Sequence, residues 1–592
     1  MAEATVSDLL VERLTAWGVE RVFGYSGDGI DGVLGALRRA GKPEFVQARH
    51  EEAAAFMAVA HAKYAGGAGV CLSTQGPGAV HLLNGLYDAK LDSQPVVAIV
   101  GQQSSTVLGS AYQQEIDLQR LFGDVCAQFV QTAFTAEQVP MLIDRAFRAA
   151  LATRGPTCVI LPHDVQSEPA PDPTQHEHGV LVTSPGLRPA RLLPRDEDLR
   201  EAAALLSSGE RVAILVGQGA YGAADEIAEL AERLGAGVAA SLLGKPVLDE
   251  NLPFHTGVMG HLGTTASTEL MRACDTLLLI GTNDPWTEFY PAPGQARAVQ
   301  IDIDGRRLGI RYPVEVPLLG DATATLRELL GLLKSAPRKE WRKKVEGWAR
   351  RWHEIAGSRA AAPAEPLNPQ HVIRSLNGHL PAGAQVAVDV GSVVYWYARH
   401  LRLPVGVPAH LSSTLASMGC GIPYGLAAKL ESPDQPVLVL SGDGGFQMLG
   451  LAELATVAAR WRDWADPRFV VCVLDNGDLA EVSWEQREME GEPRFAASQD
   501  LPRVPYARYA ELLGLRGIEV SAPGAMAEAW ETALSADRPT LIHAVVDPAI
   551  PLLPPLQPQE KIDQMYAGLE AEDTDLARRA AEHLRRERAG EA

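Results

Sequence analysis

Two apolar, β-branched runs in the C-terminal third, VLVLSGDGGFQML from Val437 and VVCVLDNGDLAEVSWEQR from Val470, each break abruptly into Gly, Asp and Asn. A buried parallel strand has this form where it delivers a loop to the top of its sheet, and such a sheet needs helices on both faces. The two tips offer oxygen: Asp443 between Gly442 and Gly444, then the Asn476 amide with backbone carbonyls beyond it at Asp478. Hard ligands of this kind suit Mg²⁺, which completes its shell with phosphate oxygens. Gly444 and Gly445 let backbone N–H groups approach those phosphates, and Phe446 to Ala458 is expected as the helix whose positive N-terminus faces them. The stretch therefore predicts a metal-bridged diphosphate site in an α/β fold.

The same strand-loop-helix unit recurs upstream. Residues 5 to 18 fit an amphipathic helix, and Val22 to Tyr25 a strand entering the loop Ser26-Gly27-Asp28-Gly29. Turn geometry alone accounts for those glycines. Phe45 to Ala48 leads through Arg49-His50-Glu51-Glu52 into an alanine-rich helix. By position alone, a first-turn glutamate is a favourable partner for the helix dipole. Val70 to Ser73 and Val96 to Val100 flank Gly76-Pro77-Gly78 and a helix carrying His81 and Asn84. This succession predicts a parallel sheet wrapped by helices, closing near Pro162.

A proline-rich linker is expected over 168–194, and then a second α/β unit. Val212 to Val216 enters the turn Gly217-Gln218-Gly219-Ala220, and the strands Leu277 to Ile280 and Ala298 to Ile303 end at Gly281-Thr282 and near Asp302. The arrangement resembles a dinucleotide site with an incomplete glycine fingerprint, and a purely structural domain remains open. A second linker with a charged helix (Lys339 to Trp352) is expected over 335–368. A third unit follows, with a strand from Val386 to Asp389 and a turn at Gly391-Ser392. Three parallel-sheet α/β domains are thus expected, at 1–180, 190–335 and 365–555. The charged tail at 556–592, where Leu576 and Leu584 are too few for an apolar face, reads as a solvated helix or disordered chain.

A length of 592 residues requires several cores. The net charge of −21 excludes a basic nucleic-acid surface and attraction to anionic membranes. Six scattered cysteines without CxxC pairing read as buried thiols of a reducing compartment. With no signal-peptide layout and no membrane-spanning run, a cytoplasmic protein is expected.

Taken together, the motifs resemble the thiamine-diphosphate enzymes of the pyruvate oxidase and acetolactate synthase group. GDGG followed by LDNGD matches the family's diphosphate motif, and RHEE with GPGAVHLLNGLYDA and YQQEIDLQRLF matches its pyrimidine-binding half. HLLNGLYDA, GKPVLDENLPFHTGVMGHLG and LLLIGTNDPWTEFYP resemble the pyruvate oxidases most. The resemblance implies Mg²⁺ on Asp443, Asn476 and the Asp478 carbonyl. It places thiamine diphosphate against Asp389, Gly391, Ser392, Gly442, Gly444, Gly445 and Val482, with Met418 of LASMGCGIP under the bent cofactor beside Ala416. Tyr25, Gly27, Pro77 and Asn84 belong to the pyrimidine side. Glu51 becomes the activating carboxylate, Gln114 and Glu485 further catalytic groups, and the reaction decarboxylation of a pyruvate-like 2-oxo acid with oxidation of the enamine. FAD is implied in the middle domain, at Gly217, Gly219, Gly263, Gly281, Thr282, Asp302 and Asp321. In this family the two halves of each site come from different subunits, which implies a homodimer or homotetramer. A carboligase or a non-oxidative lyase is the alternative, and a noncatalytic nucleotide-binding assembly protein is one of another class. Retention of Glu51 together with the Asp443 to Asn476 pair argues against the last.

The chain departs from the family pattern at several positions. Asp475 stands where an Asn is usual and adds a negative charge beside the metal. Gln113 replaces an aromatic residue. Glu481 occupies a position that is often apolar, where it either lines the substrate pocket with Gln113 and Trp484 or sits on a solvated helix face. A carboxylate there repels a small anionic 2-oxo acid unless it is paired or protonated.

Overall fold

The computed structural model describes residues 4–171, 181–188, 190–335, 337–404 and 406–591. Part of the proline-rich linker therefore lies outside the described residues. The first sheet comprises β1 (Arg21–Gly24), β2 (Glu44–Gln47), β3 (Gly69–Ser73), β4 (Val96–Gln102), β5 (Val130–Thr132) and β6 (Pro156–Pro162), in the order β2-β1-β3-β4-β6-β5. The second comprises β7 (Val212–Val216), β8 (Gly237–Ala240), β9 (His255–Val258), β10 (Thr276–Ile280), β11 (Arg297–Asp302) and β12 (Val316–Leu319), in the order β12-β11-β10-β7-β8-β9. The third comprises β13 (Gln385–Val388), β14 (Ala409–His410), β15 (Val437–Gly442), β16 (Phe469–Asp475), β17 (Arg516–Val520) and β18 (Thr540–Val545), in the order β14-β13-β15-β16-β18-β17.

All pairings within these sheets are parallel. The central strands are buried throughout, as helices on both faces require. The first and third sheets share one winding, reversing between β1 and β3 and between β13 and β15. The middle sheet has the winding of dinucleotide-binding folds and reverses between β7 and β10. Ligands bind in the crevice outside the strand ends at such reversals.

The outer two domains share a core. The helix Glu51–Ala65 packs on the helix Gly421–Glu431, and both are apolar nearly all round, as buried helices are. On another side, Gly85 lets the helix Leu83–Leu91 approach Glu51–Ala65 closely, since a Cβ there would lie 2.5 Å from that of Ala55. A buried ion pair, Lys63 Nζ to Asp92 Oδ2 at 2.7 Å, lies in this contact, and Asp92 also accepts from Ser413 N at 3.0 Å and Thr414 N at 2.9 Å. The first domain thereby fixes the loop of the third that carries Ala416 and Met418.

Two expectations are corrected. The helix expected within 335–368 is present but runs on to Ala361, over 23 residues from Lys339, and it is packed rather than a free linker. Its Trp341 and Val345 enter the core of the middle sheet, while Trp352, Ile355 and Ala356 pack on Ala266. The charged tail is also folded, as helices Gln559–Glu572 and Asp575–Glu591. Ile562, Met565, Leu569, Ala577, Ala580 and Leu584 form its buried stripe, for which alanine and methionine matter as much as leucine. Among the described residues no helix is long and apolar enough to cross a membrane.

Candidate active site

The third sheet builds one half of the site. Asp443 follows β15 directly and is buried; its Oδ1 accepts from Gly444 N at 3.0 Å and its Oδ2 from Gly477 N at 2.7 Å. Burial and the neighbouring Asp475 carboxylate hold Asp443 well above the usual carboxylate range. Asp475 is tied to His543 on β18, Nε2 to Oδ2 at 2.8 Å, and despite its burial that hydrogen bond brings it below its usual range. Asp475 is thus hydrogen-bonded by His543, 68 residues away, which no local motif announces. Asp478 points its side chain away from Asp443, accepting from Ser483 Oγ and an Arg494 guanidinium N–H, both at 2.9 Å. Its backbone carbonyl is the ligand it can offer, beside the amide oxygen of Asn476.

Gly391 has φ +122° and opens the helix Ser392–His400, a conformation that needs glycine. A Cβ on Gly391 or Gly442 would meet no atom within 4 Å, so the two strand ends frame an open cradle. Asp389 supports this cradle from beneath rather than lining it. Its Oδ1 accepts from Val390 N at 2.8 Å and Gly419 N at 2.7 Å, and its Oδ2 accepts from Ser441 Oγ at 2.9 Å. Gly445 lies against the same carboxylate, and a Cβ on Gly445 would come within 2.7 Å of Asp389 Cγ. Met418 and Leu479 close over Gly444, where a Cβ would sit 2.9 Å from each side chain. Hard oxygen donors, a crowded buried carboxylate and an open glycine cradle fit a divalent cation with a diphosphate.

The first sheet builds the other half. Glu51 is buried at the start of its helix, which His50 caps by accepting from Glu52 N at 3.2 Å. Glu51 Oε2 lies 2.9 Å from His81 Nδ1, and the His50 and His81 rings lie 4.3 Å apart, tilted by 30°. Gly78 leaves room before the other oxygen, as a Cβ there would lie 3.1 Å from Glu51 Oε1. Pro77 opens the helix carrying His81, and Asn84 donates to Glu52 at 2.5 Å and Ser417 at 2.7 Å. Gln114 has φ +63°, and its Oε1 accepts from Gln75, which also donates to Asp28. Gly27 packs on Thr74 in the same cluster, with Tyr25 half exposed at its edge and Gln113 exposed.

A cleft of about 1900 Å³ runs between the third and middle domains, with Leu91, Ser93 and Arg154 of the first domain also in its wall. Ala416, Glu481 and Glu485 line one end, and Gly219, Gly281, Thr282, Asp302 and Asp321 the other. Thr282 Oγ1 and Asn283 Oδ1 are buried there without hydrogen-bond partners, so the cleft holds unused polar atoms at the strand reversal, as a bound nucleotide would require. Burial also raises Asp302. The glycines also let the two loops approach closely. A Cβ on Gly217 would lie 2.4 Å from the Gly281 carbonyl, and one on Gly281 2.5 Å from Gly219 Cα, so these loops pack backbone on backbone. Gly217 and Gly263 do not line the cleft, and the Gly263 carbonyl accepts from Arg399 at 3.0 Å. Asp321 Oδ1 caps the helix Ala322–Leu332, accepting from Ala324 N at 2.8 Å.

Trp484 is corrected. It is buried in the third core with Arg487 over its ring, on the face of the helix Ala480–Glu490 that turns away from the cleft. Glu481 is no solvated surface residue, because it lines the cleft, and burial together with Glu485 pushes its carboxyl up to about 7. Val482 stands exposed beside it.

Comparison with known proteins decides the family. Profiles described as the N-terminal TPP binding, central, and C-terminal TPP binding domains of thiamine pyrophosphate enzymes match residues 4–121, 199–329 and 389–544. The chain belongs to the thiamine diphosphate enzymes of the pyruvate oxidase and acetolactate synthase family. It is 36% identical to a putative thiamine pyrophosphate-containing protein, YdaP, of Bacillus subtilis over 93% of both chains. It is 32% identical to a pyruvate oxidase of Lactiplantibacillus plantarum over 76% of this chain and 74% of the relative. To the large subunit of acetolactate synthase isozyme 2 of Escherichia coli it is 30% identical, over 92% of this chain and 97% of the relative. Within this thiamine diphosphate enzyme, His81 and Ser417, inside the quoted motifs, and His543 and Asp92, outside them, support the site in ways no motif announced. All four act across the fold, and sequence spacing carries no signal for that.

Proposed function

We propose that the enzyme decarboxylates a 2-oxo acid with thiamine diphosphate and Mg²⁺ and delivers the electrons to FAD in the crevice of the middle sheet. The observation that carries this reading is the cleft, which joins Glu481 and Ala416 at the thiamine half-site to Thr282 and Asp302 at the strand reversal. When bound, thiamine diphosphate supplies a nucleophilic carbon and an electron sink, and FAD a two-electron acceptor. Asp443, Asn476 and the Asp478 carbonyl would hold the metal, while Gly391, Ser392 and Gly444 would hold the diphosphate. Glu51, oriented by His81, would give and take the proton at the aminopyrimidine ring. Met418 and Leu479 would exclude water above the cradle.

Glu51 and Gln114 do not line the cleft that Glu481 lines. Exposed apolar side chains stand at both halves, Val80 and Tyr112 on one and Met448 and Val482 on the other. A second copy of the chain would cover them and complete each site, giving a homodimer or homotetramer. Mass spectrometry of the cofactors released from purified protein, followed by a screen of 2-oxo acids with and without an artificial electron acceptor, tests the reading. A protein that takes up no flavin yet joins a decarboxylated 2-oxo acid to a second carbonyl compound is a carboligase, the reading that the likeness to acetolactate synthase favours.

A further inference from the structure

The helix Ala480–Glu490 turns three carboxylates, Glu481, Glu485 and Glu488, into the cleft. Glu488 is satisfied: it accepts from Gln557 Nε2 at 2.8 Å, and Lys561 donates to its backbone carbonyl at 3.4 Å. Glu481 and Glu485 have no hydrogen-bond or ion-pair partner among the described residues. Across from them stand Val394 and Tyr395, which cannot balance a charge. The Arg399 guanidinium, stacked on the Tyr395 ring, is engaged by the carbonyls of His261 at 2.8 Å and Gly263 at 3.0 Å. The metal-bearing loop ends at Asp478, so Glu481 faces the reacting end of the pocket, and Glu485 lies about 6 Å further along the helix.

We propose that Glu481 and Glu485 select a 2-oxo acid whose far end carries a positive charge, such as a guanidinium or ammonium group. This rests on the 2-oxo acid reading above. The partly buried Glu481 carboxylate, with the exposed Glu485 beside it, is costly to charge without a cation, and a substrate cation between the two removes that cost on binding. The same pair repels a second carboxylate at that end and gives an uncharged chain no electrostatic gain.

The test uses the full chain loaded with thiamine diphosphate and Mg²⁺, measuring CO₂ release from pyruvate and from the 2-oxo analogues of arginine, norleucine and glutamate. The expected kcat/KM for the arginine analogue exceeds that for the uncharged norleucine analogue by about tenfold or more, with the glutamate analogue slowest. Glu481→Gln should shrink that ratio and raise turnover of the glutamate analogue, whereas Glu481→Asp should keep the preference. Cofactor titration by tryptophan fluorescence shows that each variant is folded. Equal turnover of the arginine and norleucine analogues, or a ratio unmoved in Glu481→Gln, overturns the inference and leaves the 2-oxo acid reading standing. Failure of the wild-type holoenzyme to release CO₂ from any of these acids overturns both.

Discussion

Glu51 is held by His81 on one oxygen, with Gly78 clearing space before the other, and the proton-transfer role proposed for it uses that second oxygen. Glu51→Gln is expected to keep thiamine diphosphate binding while slowing deuterium exchange at the thiazolium carbon by about 10²–10⁴-fold, measured by quenched-flow NMR. Undiminished exchange would remove Glu51 from this role. Glu481 carries a pH signature. Its carboxyl is pushed up to about 7 by burial and by Glu485, so it is neutral below that pH and charged above it. The groups facing it are Glu485, Glu488, Tyr395 and Arg399, and burial raises the first three. Preference for the arginine analogue over the norleucine analogue should therefore rise as pH passes through about 7 and stay flat in Glu481→Gln. Asp443, Asn476 and Glu51 were legible in the sequence because motif chemistry is local. The inward turn of Asp389 and the pairing of Asp475 with His543 were not, because they are set by strand neighbours distant in sequence.

The helix Ala480–Glu490 is the element on which specificity turns. One face meets the cleft, and the other is pressed by the helix Gln559–Glu572 through the buried pair Arg487–Glu572 at 2.7 Å. Glu572→Gln leaves the guanidinium unpaired, and urea unfolding should show a loss of about 3–5 kcal/mol. The variant should also blur the preference among 2-oxo acids, because the carboxylates ride on that helix. At the other end of the cleft, Gly281 has φ +56° and its Cβ position is occupied by the Gly219 backbone. Gly281→Ala should therefore displace both loops and weaken flavin retention, read by flavin released on gel filtration. The central strands were legible, since full burial on both faces writes an unbroken apolar run. The short edge strands β5, β14 and β17 were not, and alanine-based packing hid the tail helices.

At the scale of the whole molecule, three parallel sheets hold two half-sites and a crevice at the middle sheet's strand reversal, and the chain's motif order made the three-domain architecture readable. The cleft between the middle and third domains was not readable, because it depends on how separate cores dock. Analytical ultracentrifugation should show a dimer or larger species at assay concentrations, and an active monomer would refute completion of each site by a second copy. The most direct measurement is anaerobic: 2-oxo acid is added to the protein reconstituted with thiamine diphosphate, Mg²⁺ and FAD, and flavin absorbance is followed in a stopped-flow cell. The expected result is bleaching of bound flavin that requires both thiamine diphosphate and Glu51. Flavin that stays oxidised while the 2-oxo acid is consumed, or that never binds, would contradict the oxidative reading.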